Sequence, residues 1–445
     1  LRRANTGIGP DAIRRIDRRG TMSTKGTTRR RHSLRLVATG TALCNVALSG
    51  VALAAQSDEK KEEHFYISNQ FSYDDNLFRA AKTEDLSIPV DPADPNAVPR
   101  AVEREDYVNL LSVGVGNDFH FGQQTLRVKG RLFDARYQDN DYLDHHGGDA
   151  TVQLDFRMLT AFSGRLSGAY GRKLADFAQT LGSDRDLIET FNYNGFLRYE
   201  IGPRWSITAG GGRMETKHDL TRRRQENLEA NLGRVSIDYQ TPSLHGFGIE
   251  YRYMDAKFPD APLDANGLNQ SDFEENATLA RFTYTATVRT QFRVSAGYVE
   301  RERPANPDGD YKGDVWRAEI DWKPRTKFSM LLAGWRELKA YTDVESDYFI
   351  SDGFSLAPTW RPTEKLDLAL ELAYEDQEYI NTRDLAIVGE QRNDDVLTGV
   401  FTFTYRPREQ LAFELSYRGS DRDSNRLNRR YDAQVAGIGI RWSVF

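Results

Sequence analysis

The sequence predicts an all-β protein, a transmembrane antiparallel β-barrel of about 18 strands preceded by a signal peptide, on three observations. Bulky apolar and polar residues alternate with period two from His64 onward. Short polar turns alternate with long connections rich in Asp, Asn, Pro and Gly. Tryptophans cluster beside the short turns, as an interfacial girdle requires. Composition removes the competitors. The 445 residues include 35 Gly, 21 Tyr and 23 Phe but one Cys, which excludes a disulfide scaffold and a zinc–cysteine site. An apolar share of 39% with 11% aromatic residues is too rich for disorder. Beyond residues 34–55 no window approaches the apolar length of a membrane helix.

At the N-terminus, residues 1–21 read as an upstream extension, with six arginines before Met22. Residues 22–54 read as a secretory signal: Lys25, Arg29, Arg30, Arg31 and Arg35 precede an apolar core, and Ala52-Leu53-Ala54 supplies small residues at the cleavage site. Cys44 lies within that core and leaves with it. Residues 55–63 form a short periplasmic segment, and 64–445 the barrel. Residues 1–54 hold 11 Lys and Arg and 2 Asp and Glu, so the exported chain carries 49 basic against 64 acidic residues. Such an acidic product lacks the basic face of a general nucleic-acid binder.

Strand by strand, the alternation is explicit. Val152, Leu154, Phe156 and Met158 alternate with Thr151, Gln153, Asp155 and Arg157, and Phe191, Tyr193, Gly195, Leu197 and Tyr199 follow the same rhythm. Trp316, Ala318, Ile320 and Trp322 alternate with Val315, Arg317, Glu319 and Asp321. Leu366, Leu368, Leu370, Leu372 and Tyr374, and later Leu411, Phe413, Leu415 and Tyr417, repeat it. Eight turns are expected at Gly122-Gln123-Gln124, Ala161-Phe162-Ser163, Gly202-Pro203-Arg204, Thr241-Pro242-Ser243, Arg289-Thr290, Pro324-Arg325-Thr326, Arg361-Pro362-Thr363-Glu364 and Pro407-Arg408-Glu409. Nine long loops are expected around 80–102, 139–148, 179–186, 220–225, 259–271, 303–311, 342–347, 381–392 and 420–429. Trp205, Trp322, Trp360 and Trp442 lie near the short-turn ends, and the chain closes on Phe445, one position out of the apolar phase.

Lipid offers the backbone no hydrogen-bond partner, so strands cross it only when the sheet closes. A barrel of this size encloses water, which the charged face of each strand then meets. A soluble solenoid or propeller also alternates, but it accounts for neither the loop asymmetry nor the aromatic ends.

Tyr73-Asp74-Asp75-Asn76-Leu77-Phe78-Arg79 resembles the opening signature of the EpsL-type exopolysaccharide biosynthesis outer-membrane β-barrel family, associated with exosortase systems within a broader β-barrel porin group. Asp134-Ala135-Arg136-Tyr137-Gln138 with Tyr142-Leu143-Asp144, and Phe354-Ser355-Leu356-Ala357-Pro358-Thr359-Trp360-Arg361-Pro362-Thr363, are similar to that family too. The resemblance implies a part in exopolysaccharide biosynthesis or export across the bacterial outer membrane, and supplies no catalytic residue.

The expected lumen face carries Arg127, Lys129, Arg131, Arg157, Arg165, Arg198, Arg252, Arg281, Arg293 and Arg317, then Asp367, Glu371 and Glu375. Fixed charges in a water-filled pore select ions by sign, and arginine forks suit carboxylate or phosphate groups on a passing sugar. The alternative is an internal salt-bridge network that stiffens the wall. Asp74, Asp75 and Asn76 offer oxygens to Ca²⁺ or a sugar, against the commoner role of such a string in a turn. Acidic loop residues such as Asp139, Asp260 and Asp394 could meet cations among lipopolysaccharide groups, or simply face water. The stiff, proline-rich 80–102 connection could fold into the pore as a gate. Histidines are scattered, with neither a Ser-His-Asp set nor a His-Glu-x-x-His spacing. The expectation is a passive conduit without cofactor, metal or catalytic role, its partners being lipid, lipopolysaccharide, secreted polysaccharide and separate periplasmic export proteins. A general diffusion porin, a barrel enzyme and a surface adhesin are the competing readings.

Overall fold

The computed structural model describes residues 64–82, 84, 86–88, 100–179, 182–264, 266–340, 346–382 and 391–444. The signal and periplasmic-segment expectations, Pro89, Pro92, Pro95 and Pro99, and Phe445 lie outside these residues. In chain order the strands are β1 (Phe65–Asp74), β2 (Ser87–Ile88), β3 (Arg100–Ala101), β4 (Asp106–Phe121), β5 (Gln124–Tyr137), β6 (His145–Met158), β7 (Phe162–Leu174), β8 (Leu187–Ile201), β9 (Trp205–His218) and β10 (Leu228–Gln240). They continue as β11 (Gly246–Lys257), β12 (Phe273–Thr287), β13 (Thr290–Glu302), β14 (Tyr311–Arg325), β15 (Phe328–Ala340), β16 (Ser346–Thr363), β17 (Leu366–Thr382), β18 (Asn393–Arg408), β19 (Leu411–Ser424) and β20 (Tyr431–Val444).

Eighteen of these strands form one sheet in which each pairs with its chain neighbours, and β1 pairs with both β20 and β4. All of those pairings are antiparallel, so the sheet is a closed up-and-down barrel with no free edge. The small β2–β3 pair stands apart in the first long loop. Most strands exceed the ~9–11 residues that a tilted strand needs to cross a bilayer, so their surplus projects beyond the membrane.

Turn chemistry explains the short connections, with three adjustments to the expected boundaries. Gly122 and Gly202 adopt positive φ (63° and 65°), a conformation tight hairpin turns demand and glycine accepts without strain. Between β6 and β7 the reversal falls at 159–161, and Phe162 and Ser163 belong to β7 because their side chains continue the alternation. Pro324, Pro362 and Pro407 do not end their strands. Each sits at a register shift, where a missing N–H costs no ladder bond. At the other end, His145–Gly148 and Ser420–Ser424 are strand rather than loop, because pairing persists above the membrane.

Candidate functional site

Directly opposed residues of neighbouring strands share a face, so register carries face identity around the barrel. Phe119 opposes Leu126, Leu126 opposes Leu154, and Leu154 opposes Leu166. This face bears the exposed apolar side chains, among them Val115, Ile249, Phe354 and Ile438. It also bears Trp205, Trp322, Trp360 and Trp442, all well exposed near the short-turn ends. It is the outer, lipid-directed face.

All thirteen charged residues singled out from the sequence fall on the opposite, inward face. Ten of them are ion-paired on the wall. Arg127 bonds Asp118 (2.8 Å) and Asp155, and Arg165 reaches the same Asp155 at 2.6 Å. Arg131 pairs with Asp149 (2.6 Å), and Arg157 lies 3.6 Å from Glu200. Glu250 holds both Arg252 (2.5 Å) and Arg281 (2.8 Å), and Arg281 also reaches Asp238 at 2.7 Å. Glu319 accepts Arg293 (2.9 Å) and Arg317 (2.8 Å). Asp367 pairs with Arg361 (2.9 Å) and Arg406, and Glu375 with Lys339 (2.9 Å). Lys129, Arg198 and Glu371 have no ion pair among the described residues.

The wall is therefore hydrophilic yet close to charge-neutral over most of its area. Asp118, Asp149, Asp238, Glu337, Lys339, Arg361 and Arg406 complete the network and were not singled out beforehand. Their inward parity within alternating strands is the one sequence signal they share.

Toward the long-loop end the inner wall carries covered apolar patches beside buried ion pairs such as Arg301 with Glu275 (2.6 Å). Leu228, Ala230, Met254, Ala256 and Phe273 of β10–β12 pack beneath Phe258 and Ala261 of the β11–β12 connection. A second cluster joins Leu77, Phe78 and Ala80 to Leu143 and Phe177, drawn from three different connections. Arg422 of β19 donates to the Ala178 carbonyl (2.7 Å), so the β7–β8 connection reaches across the mouth. A third cluster has an unusual origin. β14 pairs with β15 only below Trp316 and Arg336, leaving Glu337–Ala340 bonded to β16 alone. Leu338, Tyr348 and Ile350, which follow the lipid-side parity of their strands, pack on Ala277 and Val299 of the inner wall. The outer ends of β15–β17 thus bend inward as a flap. Tyr348 is fully buried there, its hydroxyl donating to the Gly309 carbonyl (3.2 Å), with Arg301 and Arg303 against its ring.

The Tyr73–Phe78 string closes the barrel and starts the first loop. Asp74 takes both arms of Arg79 (2.7 and 2.9 Å). Asp75 accepts the Gln434 N–H of β20 at 2.6 Å. Asn76 donates to the carbonyls of Ala80 (3.0 Å) and Asp432 (2.9 Å) and accepts the Ala80 N–H at 3.1 Å. Leu77 and Phe78 enter the second cluster, with Phe78 edge-on to Phe177 at 4.8 Å, while Tyr73 stays on the outer face beside Tyr107. The oxygens that could have met a cation are engaged inside the protein.

Among the described residues no group of three His, Cys, Asp or Glu side chains is disposed to hold a metal ion. His145 and His146 point to opposite faces, the first bonded to the Leu143 carbonyl and the second to Asp134. His218 is buried against Asp186 (2.7 Å), which also holds Arg223 (2.8 Å). Burial alone would push the Asp186 carboxyl up, but the bond and charge of His218, with Arg223 and the Leu220 N–H, outweigh it and hold it below the usual carboxylate range.

Residues 223–444 match the family described as "Putative beta-barrel porin 2". No curated protein matches the chain. Similar solved structures include a BenF-like porin from Pseudomonas fluorescens Pf-5 (TM-score 0.45, 8% identity, covering 86% of this chain and 99% of that one). Pseudomonas aeruginosa OccK5 (OpdH) has a TM-score of 0.45 and 9% identity over 86% and 98% of the two chains. The siderophore receptor PirA from Acinetobacter baumannii has a TM-score of 0.42 and 7% identity over 87% and 81%. A closed barrel with an apolar outer band and a porin-family match makes this chain a porin-like β-barrel of the bacterial outer membrane.

Proposed function

We propose that this barrel is a passive conduit that carries secreted exopolysaccharide across the outer membrane, leaving its cargo chemically unchanged. The observation that carries the reading is the inner wall, where ten charged residues are neutralised in pairs. Paired charges keep the lumen wet and offer hydrogen bonds to hydroxyl groups, without the strong field that would trap a single ion. A sugar polymer can then exchange partners as it advances. The likeness of Tyr73-Asp74-Asp75-Asn76-Leu77-Phe78 to the EpsL-type signature supports polysaccharide as the cargo. In this reading separate periplasmic proteins deliver the polymer, and the acidic outer loops meet lipopolysaccharide through divalent cations.

The family match favours one competitor, a general diffusion porin for small polar solutes. Deletion of the gene, with complementation, separates the two. Loss of polymer from the medium, with its retention in the periplasm, is the expected result. Unchanged secretion alongside steady conductance of the purified barrel would transfer the assignment to the diffusion porin.

A further inference from the structure

The short-turn end carries a repeated sequence that the wall network does not use up. Three successive hairpins read Lys323-Pro324-Arg325-Thr326-Lys327-Phe328, Arg361-Pro362-Thr363-Glu364-Lys365-Leu366 and Arg406-Pro407-Arg408-Glu409-Gln410-Leu411. An outward aromatic residue precedes each one (Trp322, Trp360 and Tyr405). The structure repeats as well. Each proline lies at a register shift. The N–H groups of Lys323, Arg361 and Arg406 donate to the carbonyls of Arg289, Lys327 and Lys365 in the preceding turns, each at 2.7 Å. Two side chains brace the stack across turns, Arg289 to the Pro324 carbonyl (3.0 Å) and Lys327 to the Pro362 carbonyl (2.6 Å).

This scaffold holds cations at two levels. Lys323, Arg361 and Arg406 face inward at the mouth, beside Asp321 and Asp367, and Arg441 of β20 continues the row over the Tyr66 ring. Arg325, Lys365 and Arg408 stand exposed at the tips, with no ion pair among the described residues. The four short turns from β12 to β19, with the strand ends that flank them, hold eight basic residues (Arg289, Lys323, Arg325, Lys327, Arg361, Lys365, Arg406, Arg408) against four acidic ones (Asp321, Glu364, Asp367, Glu409). The chain as a whole is net negative. Across the rim, the tips at 122–123, 159–161 and 241–245 contain no Lys or Arg, and the tip at 202–204 carries the single Arg204.

We infer that this arc is a capture site at the periplasmic mouth for an anionic polysaccharide, recognised through its carboxylates. The inference rests on the conduit reading and narrows its cargo. Short turns face the periplasm in outer-membrane barrels, so the arc meets polymer before transit. The tip cations raise the local concentration of the anion, and the inward row passes it to the wall. Phospholipid headgroups could reach the tips but not the inward row.

The test uses the purified full-length chain in planar bilayers of neutral lipid, with oligogalacturonate as the acidic probe and dextran as the neutral one. Oligogalacturonate added on the short-turn side should block current, and block from the long-loop side should be weaker. The R325Q/K365Q/R408Q variant should raise the half-blocking concentration about tenfold or more, on the scale by which charged clefts concentrate counter-ions. Raising salt from about 0.1 M to 1 M should weaken the block of the unmodified protein in the same way. Dextran should behave alike on both proteins. Titration of labelled oligogalacturonate onto the protein in detergent reads the same site without current. Equal block from both sides, or block and binding untouched by the variant, overturns the inference. So does a variant that keeps the block but loses affinity for phosphatidylglycerol vesicles, which would make the arc a headgroup anchor. Conductance without anion capture sinks this inference alone, whereas absence of any conductance sinks the conduit.

Discussion

At the residue scale, what a charge does on the inner wall depends on whether it has a partner. Arg198 and Arg281 are both inward arginines, yet they should respond oppositely to the same change. Arg198 has no carboxylate partner among the described residues, and its Nε is unbonded. Arg198→Gln should therefore leave the unfolding midpoint in place and move ion selectivity toward cations, read as a reversal-potential shift across a salt gradient. Arg281 clamps Asp238 and the almost wholly buried Glu250. Arg281→Gln should cost about 1.5–3 kcal/mol, the range for a hydrogen bond to a charged group, and lower the unfolding midpoint in detergent. Equal effects of the two substitutions would mean that the pairing does not govern the wall. Their inward orientation was legible in the alternation of β8 and β12. The difference between them was not, because Asp238 and Glu250 are remote in sequence from Arg281 and meet it only through the register of β10–β12.

At the element scale, the outer connections are fastened by buried charge as well as by small apolar clusters. Asp186 ties the β7–β8 and β9–β10 connections together through His218, Arg223 and the Leu220 N–H. Its carboxyl is held below the ordinary range, so it contributes stability above the unfolded-state pKa of about 3.9 and loses it as pH falls through the lower folded value. Acidification from about pH 5 toward pH 3 should therefore open residues 219–227 to hydrogen exchange while the β4–β9 ladder stays protected. Protection of both segments down to the acid limit would show that the cluster does not fasten the loop. Turn position was legible wherever Gly or Pro marked it, as at Gly122 and Gly202. The bulges at Pro324, Pro362 and Pro407 were harder to read, since proline also ends strands and only pairing tells the two apart.

At the scale of the whole molecule, the barrel has a polar, charge-paired middle and an outer end where the described connections pack on the inner wall through apolar clusters. The flap formed by the ends of β15–β17 is the most visible of these contacts, because it leaves the wall at β14 and seats Leu338, Tyr348 and Ile350 on the nearby inner surface of β12 and β13. Tyr348→Ala should loosen the seat by about 3–5 kcal/mol, as truncation of a buried aromatic side chain does. Single-channel conductance should rise and flicker more, while the heat-resistant, compact migration of the barrel persists. Unaltered conductance would mean that the flap does not control passage.

The sequence by itself determined the class of fold, the strand faces and the asymmetry between short turns and long loops. These follow from period-two alternation and from Gly, Pro and Asp placement, which act over a few residues. Only the tertiary structure decided which inward charges neutralise one another, that β15–β17 fold into the mouth, and that Asp75 and Asn76 join the first loop to β20 while Asp74 holds Arg79. The first two depend on the register of neighbouring strands, which sets partners as far apart as Asp238 and Arg281, and the third on closure, which joins β1 to β20 across the whole chain; no local pattern encodes a partner at either distance.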